Sequence, residues 1–249
     1  MATGLALEKK IVFVYAMAPF LSLRALEQIK CGPGLMNLPI SILSVGIGLG
    51  YADSGPTHYA NEDFASVRTV LGNSIYTISS PQQCLHLVDK VIQKPEFNYI
   101  RFDRHNLPDI KSNIKKKEIL DGFIKFGSAS KNKVLLISHG KTSHIALEVY
   151  KRNPNRFYLI DLIQSKPFPK KMSRLLENNK GIIVIDEQNV NGGLASCVFE
   201  ACSNLDITKT IRTVCLPDKY IYENGGREYL LNKYGISYKG IIKKYNQFF

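Results

Sequence analysis

Short apolar runs recur along the chain, and their spacing constrains the fold more than any other feature. IVFVYA (11–16), ISILSV (40–45), residues 74–78 and NYIRF (98–102) form a first series. KVLLIS (133–138), FYLIDL (157–162), GIIVID (181–186) and IRTVC (211–215) form a second. Each run has the length of a strand, and the gaps carry helical periodicity, as at Leu23, Leu26 and Ile29. Helices are expected near 22–30, 61–70 and 81–94, then near 142–152, 169–178, 193–203 and 226–234. Near-continuous apolar strands alternating with amphipathic helices predict parallel sheets covered on both faces. The fold expected is α/β, with two consecutive three-layer domains and mostly parallel sheets. Their spans are 1–110 and 132–249, joined by a charged, weakly structured linker over 111–131.

A chain of 249 residues suffices for one large core or two modest ones. No apolar run approaches the roughly 18 residues that cross a bilayer, and the N-terminus lacks the layout of a signal peptide. The five cysteines (Cys31, Cys84, Cys197, Cys202, Cys215) are scattered and form no Cys-x-x-Cys pair. That pattern argues against a zinc site or a disulfide framework and for reduced thiols in the cytoplasm. The net charge of +12 is spread along the chain, with short lysine runs at 115–117, 170–171 and 243–244. It reads as a solvated lysine-rich surface, not a nucleic-acid interface. His139 and His144 are five apart and do not share a helical face, so no metal site is expected.

One segment carries chemistry. In GLGYADSGPTHYANED, Gly48 and Gly50 allow unusual backbone angles, and Gly55-Pro56 makes a stiff turn. Asn61 can cap a following helix, with Glu62 and Asp63 favouring its first turn. The segment follows a strand, so His58 emerges at the carboxyl end of a parallel sheet, where ligands usually bind. The glycine spacing is not a dinucleotide fingerprint. On these grounds alone His58 is either a functional group or a loop histidine bonded to its own turn. Further on, Ser80-Pro81-Gln82-Gln83 has the parts of a helix start, with Ser80 as N-cap and Gln83 reaching back.

The segment resembles the pyrimidine-binding domain of the transketolase family, whose pattern is Gly-x-Gly-x-Asp-Gly-Pro-Thr-His followed by an acidic helix. TGLALEKKIVFVYAMAPFLSLRALEQI resembles the strand and aromatic segment of that domain, and YIRFDRHNLP (99–108) its Ser-Arg-Gln-Asn-Leu-Pro-type ending. The second series is similar to the family's C-terminal domain, with Gly192-Gly193-Leu194 after GIIVIDEQN. The resemblance implies thiamine diphosphate as cofactor, with Mg2+. His58 would be the active-site histidine beside the cofactor's reactive centre. Arg104 would bind the phosphate of a sugar phosphate, although its spacing alone favours an exposed charge near a domain boundary. Tyr15 and Phe20 would face the aminopyrimidine ring, although both also suit the end of a buried strand.

The chain departs from the family at three places. Classical members have His-Asp at Ser44-Val45, and two extra residues in the loop place Asp53-Ser54 where one aspartate normally precedes Gly-Pro-Thr-His; both changes bear on the sugars bound, and make Ser44 and Asp53 candidate substrate contacts. The third is the glutamate that activates the cofactor, expected several residues ahead of Thr3, and with it the diphosphate-binding domain. The expectation is therefore an N-terminally truncated C-terminal subunit of a split enzyme. Cofactor diphosphate and Mg2+ would be held mainly by a diphosphate-binding partner, in a homo- or hetero-oligomer. The alternatives are a catalytically silent interaction subunit, a 2-oxo acid dehydrogenase β-subunit or a deoxyxylulose-phosphate synthase-like protein. Glu187 could contribute to an interface.

Overall fold

Every apolar run becomes a strand. In the computed structural model, which describes residues 1–249, β1 (Val12–Met17) and β2 (Ile40–Val45) pair in parallel, Val12 opposite Ile40. β3 (Ser74–Thr77) and β4 (Asn98–Phe102) extend this sheet in the order β1-β2-β4-β3. β5 (Phe123–Phe126), β6 (Val134–Ser138) and β7 (Phe157–Leu162) belong to a second sheet. After β8 (Gln164–Lys166), β9 (Gly181–Asn189) and β10 (Ile211–Leu216) complete it in the order β10-β9-β6-β7-β5. Only β5 runs antiparallel there. Both sheets are five-stranded α/β sheets with helices in the connections, as the alternation requires.

The two units are less separate than their sequence suggests. β8 follows β7 but leaves the second sheet and pairs antiparallel with β3, Ile75 opposite Lys166. Thr77 N–H donates to the Ile163 carbonyl at 2.8 Å, and Lys166 Nζ donates to the carbonyls of Arg68 and Val70 at 2.8 and 2.5 Å. Apolar packing is continuous across the junction, from Leu49 and Tyr76 to Leu136, Phe157 and Ile183. Leu136, Phe157 and Ile183 are fully buried, and each such side chain contributes about 1.5–3 kcal/mol on removal from water.

Three local expectations change. The linker over 111–131 contains a helix, Lys116–Asp121, and β5. Glu118 caps the Lys115 N–H at 2.9 Å and Gly122 at φ +82° ends the helix, while Ile119 and Ile124 are buried in the core, so a few apolar residues anchor this charged segment. Ser80 stands at the N-cap position of the Pro81–Gln93 helix, with Pro81 following as expected, but its hydroxyl makes no capping bond and is buried without a partner. Gln83 reaches instead to the Ser79 N–H at 2.7 Å and to Asp161 at 2.5 Å. Asn61 likewise makes no cap: the Asp63–Arg68 helix starts after Glu62. No helix is long and apolar enough to cross a membrane.

Candidate active site

The loop leaving β2 is closed on itself. Gly48 N–H donates to the Ala60 carbonyl at 3.1 Å, and Ala60 N–H donates back at 2.9 Å. Gly46 sits at φ +80° with the Tyr51 ring across it; a Cβ there would lie 2.0 Å from Tyr51 Cε2. At the far side of the loop His58 N–H donates to the Gly55 carbonyl at 3.0 Å, fixing the turn. The imidazole is half-buried, and its Nδ1 shares a 2.9 Å hydrogen bond with Thr57 Oγ1, leaving Nε2 without a protein partner.

Phe20 meets His58 edge-on, with ring centroids 5.5 Å apart. It lies in the Ala18–Ser22 helix directly after β1, so the carboxyl ends of β1 and β2 bring the two rings together. Arg24, one turn on, lays its guanidinium 4.1 Å over the Phe20 ring. Tyr15 stands on β1 with 70% of its surface exposed, which rules out the core role its sequence position allowed.

The same loop meets the end of β4. Arg104 Nη1 donates to Asp53 Oδ1 at 2.5 Å, and its guanidinium lies 4.5 Å over the Tyr51 ring. Hydrogen bonding from Arg104 holds the Asp53 carboxyl below the usual aspartate range. Asp53, Arg104, His58 and Phe20 thus share one loop and the strand ends around it. Ser44 does not join them. It is fully buried and donates its hydroxyl at 2.7 Å to Tyr99, whose own hydroxyl donates to Asp63 at 3.2 Å. A substrate contact by Ser44 would require breaking that chain.

Beneath the loop a buried polar layer joins the two sheets. Asp63 takes both arms of Arg101, whose Nη1 also donates to Thr77 Oγ1 at 2.9 Å. His139 Nε2 lies 2.8 Å from Asp186 Oδ1, and the Leu194 N–H donates to Asp186 Oδ2 at 2.9 Å. Burial pushes the Asp186 pKa up, but His139 and Arg101 outweigh it and leave the carboxyl below its ordinary value. Burial also raises Glu187, against the pull of Arg227. Gln188, next in β9, donates to the Ala60 carbonyl at 2.8 Å and accepts from the Phe64 N–H at 3.4 Å. With the Leu49 N–H donating to Glu187 Oε2 at 3.1 Å, the second unit grips both ends of the His58 segment.

Two family models match in succession: "Transketolase, pyrimidine binding domain" over residues 1–109 and "Transketolase, C-terminal domain" over 127–241. The chain belongs to the transketolase family. It is 28% identical over 97% of its length to one subunit of the apulose-4-phosphate transketolase of Phocaeicola vulgatus, covering 77% of that subunit. It is 30% identical to the 1-deoxy-D-xylulose-5-phosphate synthase of Thermus thermophilus, matching over 97% of this chain and 38% of that protein. A solved structure described as "Split gene transketolase, inactive beta4 tetramer" superposes with a TM-score of 0.84 at 22% identity, covering 99% of this chain and 78% of that one. A Pichia stipitis transketolase variant gives 0.77 at 15%, over 94% and 33%.

This transketolase-family chain thus carries the pyrimidine-binding and C-terminal domains of a transketolase-type transferase. Enzymes of the family depend on thiamine diphosphate. The groups present here suit the ring end of that cofactor: a half-buried imidazole with a free Nε2, an adjoining phenyl edge, and an exposed Tyr15. No group of three or more His, Cys, Asp or Glu side chains is placed to hold a metal ion. Sequence reasoning missed Arg24, the Arg101–Asp63 pair and the contacts of Arg227. A lone arginine in a helix carries no signal for what it stacks on or pairs with across the fold. Glu187, a candidate interface residue by its sequence position, finds its partners within the chain, at Arg227 and the Leu49 N–H.

Proposed function

We propose that this chain supplies the pyrimidine-side half of an active site that transfers a two-carbon ketol unit between sugar phosphates. A diphosphate-binding subunit supplies the other half and holds most of the cofactor's diphosphate and its Mg2+. The observation that carries the reading is the closed Gly48–Ala60 loop, which presents the free Nε2 of His58 and, through Asp53, engages Arg104.

In this reading the bound cofactor supplies a nucleophilic carbon, and the protein positions the reactants and moves protons. Phe20 and Tyr15 would hold the pyrimidine ring when the cofactor is bound. His58 Nε2 hydrogen-bonds the substrate oxygen at the reacting carbon and can take or return its proton. Arg104, a planar fork of donors, exchanges its exposed Asp53 partner for a phosphate. The relatives in Phocaeicola vulgatus and Actinobacillus succinogenes are named for a sugar phosphate, which supports that substrate class. The β4 assembly of the split-gene chain is described as inactive, which supports an inactive chain without its partner.

The test is His58→Ala in the complex with the diphosphate-binding subunit. A fall of about 100-fold or more in kcat, with assembly unchanged, is expected for loss of a positioned acid–base group. Unchanged turnover removes His58 from the reacting centre.

A further inference from the structure

Arg227 begins the Arg227–Lys233 helix of the second unit, and its side chain is 11% exposed. Its guanidinium is fully engaged. Nε and Nη2 donate to Glu187 Oε2 and Oε1, both at 3.0 Å, and Nη1 donates to Asp103 Oδ1 at 2.9 Å. Nη2 also lies 2.7 Å from Asp103 Oδ2. Two nearly buried carboxylates, 3% and 6% exposed, thus share one cation.

Each carboxylate also holds a loop of the candidate site. Glu187 Oε2 accepts the Leu49 N–H at 3.1 Å, at the root of the loop that carries His58. The fit is close: a Cβ on Gly48 would stand 2.6 Å from Glu187 Cβ. Asp103 Oδ1 accepts the His105 N–H at 2.9 Å, so the same carboxylate brackets Arg104 from both sides in sequence. One side chain of the second unit is therefore linked through single residues to both loops.

We propose that Arg227 is a positioning residue: acting through Glu187 and Asp103, it sets the His58 loop and the Arg104 loop at the separation one sugar phosphate must span. The proposal rests on the roles given to His58 and Arg104 above. A displacement of about 1 Å in such a site costs up to roughly 100-fold in rate, so the geometry of the two loops has a kinetic signature. A purely structural ion pair has none.

The test uses the full chain assembled with its diphosphate-binding subunit, comparing Arg227→Ala, Arg227→Lys and Arg104→Ala. Turnover is measured with a phosphorylated acceptor sugar and with the same sugar lacking phosphate. Arg227→Ala is expected to raise KM for the phosphorylated sugar roughly tenfold or more, with a smaller change in kcat, and to narrow its advantage over the unphosphorylated one. Arg227→Lys, which keeps a charge but loses the fork, falls between. Amide hydrogen exchange on the chain alone is the second readout. Leu49 and His105 are expected to exchange faster in Arg227→Ala while the β6 amides stay protected.

Unchanged KM for the phosphorylated sugar in Arg227→Ala overturns the proposal, as does unchanged exchange at Leu49 and His105. If Arg227→Ala does not fold, Arg227→Lys decides by the same two criteria. If Arg104→Ala itself leaves phosphate discrimination intact, the role given to Arg104 fails; the exchange of Leu49 and His105 still decides whether Arg227 holds the two loops.

Discussion

Arg101 and Asp63 form a two-point ion pair, Nε to Oδ2 at 2.9 Å and Nη2 to Oδ1 at 3.0 Å, with neither side chain exposed. The pair ties β4 to the helix that follows His58, so both strand-end loops of the candidate site stand on it. Removing one member strands a buried charge. Asp63→Ala is expected to destabilise the chain by about 3–5 kcal/mol, and the double variant Asp63→Ala/Arg101→Met by less than the sum of the two singles. Urea denaturation of the four proteins measures this; additive effects would mean that the charges are not coupled.

The strand pattern was legible because buried parallel strands must be apolar, whatever their neighbours. β5 and β8 escaped that rule. β8 is the polar tripeptide Gln164–Lys166, and it is a strand because the open edge of β3 offers it hydrogen bonds. The His58 loop was legible because its glycines, proline and histidine are adjacent in sequence. Ser44 was not: its neighbours gave no sign that Tyr99 and Asp63 would enclose its hydroxyl. Asp103, Glu187 and Arg227 meet only in the fold, and no local pattern announces such a meeting.

Asp53 reports on Arg104. A carboxyl with a lowered folded pKa favours the folded state above its unfolded value, and loses that contribution as pH falls through the folded one. Here the pair is exposed, so the titration itself is the useful signal. Arg104→Ala is expected to move the Asp53 pKa up towards the ordinary aspartate value, because the hydrogen bond from Arg104 is the main cause of its lowering. Carboxyl-carbon NMR titration of both proteins checks this, and an unmoved Asp53 would contradict the pairing.

Asp161 carries the opposite sign. It is fully buried and accepts from Ser79 and Ser143 at 2.7 and 2.5 Å, and from Gln83 at 2.5 Å, yet burial still raises its pKa. A raised carboxyl favours the folded state below its unfolded pKa, about 3.9, and that advantage fades as pH rises through the folded value. Asp161→Asn cannot titrate. The stability of the unmodified chain relative to the variant is therefore expected to fall as pH rises from about 4. Urea midpoints across that range provide the measurement; a flat or rising difference would contradict the assignment.

Gly46 has no room for a side chain. Gly46→Ala combines a left-handed backbone with a Cβ overlapping the Tyr51 ring, on which Arg104 also packs. A loss of about 2 kcal/mol or more is expected, together with weaker Asp53–Arg104 pairing. Thermal unfolding and the Asp53 titration read the two effects. A variant as stable as the unmodified chain would show that the loop is looser than its contacts imply.

The most direct measurement of the central claim is calorimetric titration of thiamine diphosphate with Mg2+ into three samples: this chain, a diphosphate-binding subunit, and their mixture. If the chain holds the pyrimidine side of a shared site, tight binding and ketol transfer to a sugar phosphate occur only in the mixture. Tight binding by this chain alone, or a mixed complex that neither binds the cofactor nor turns over, would contradict it.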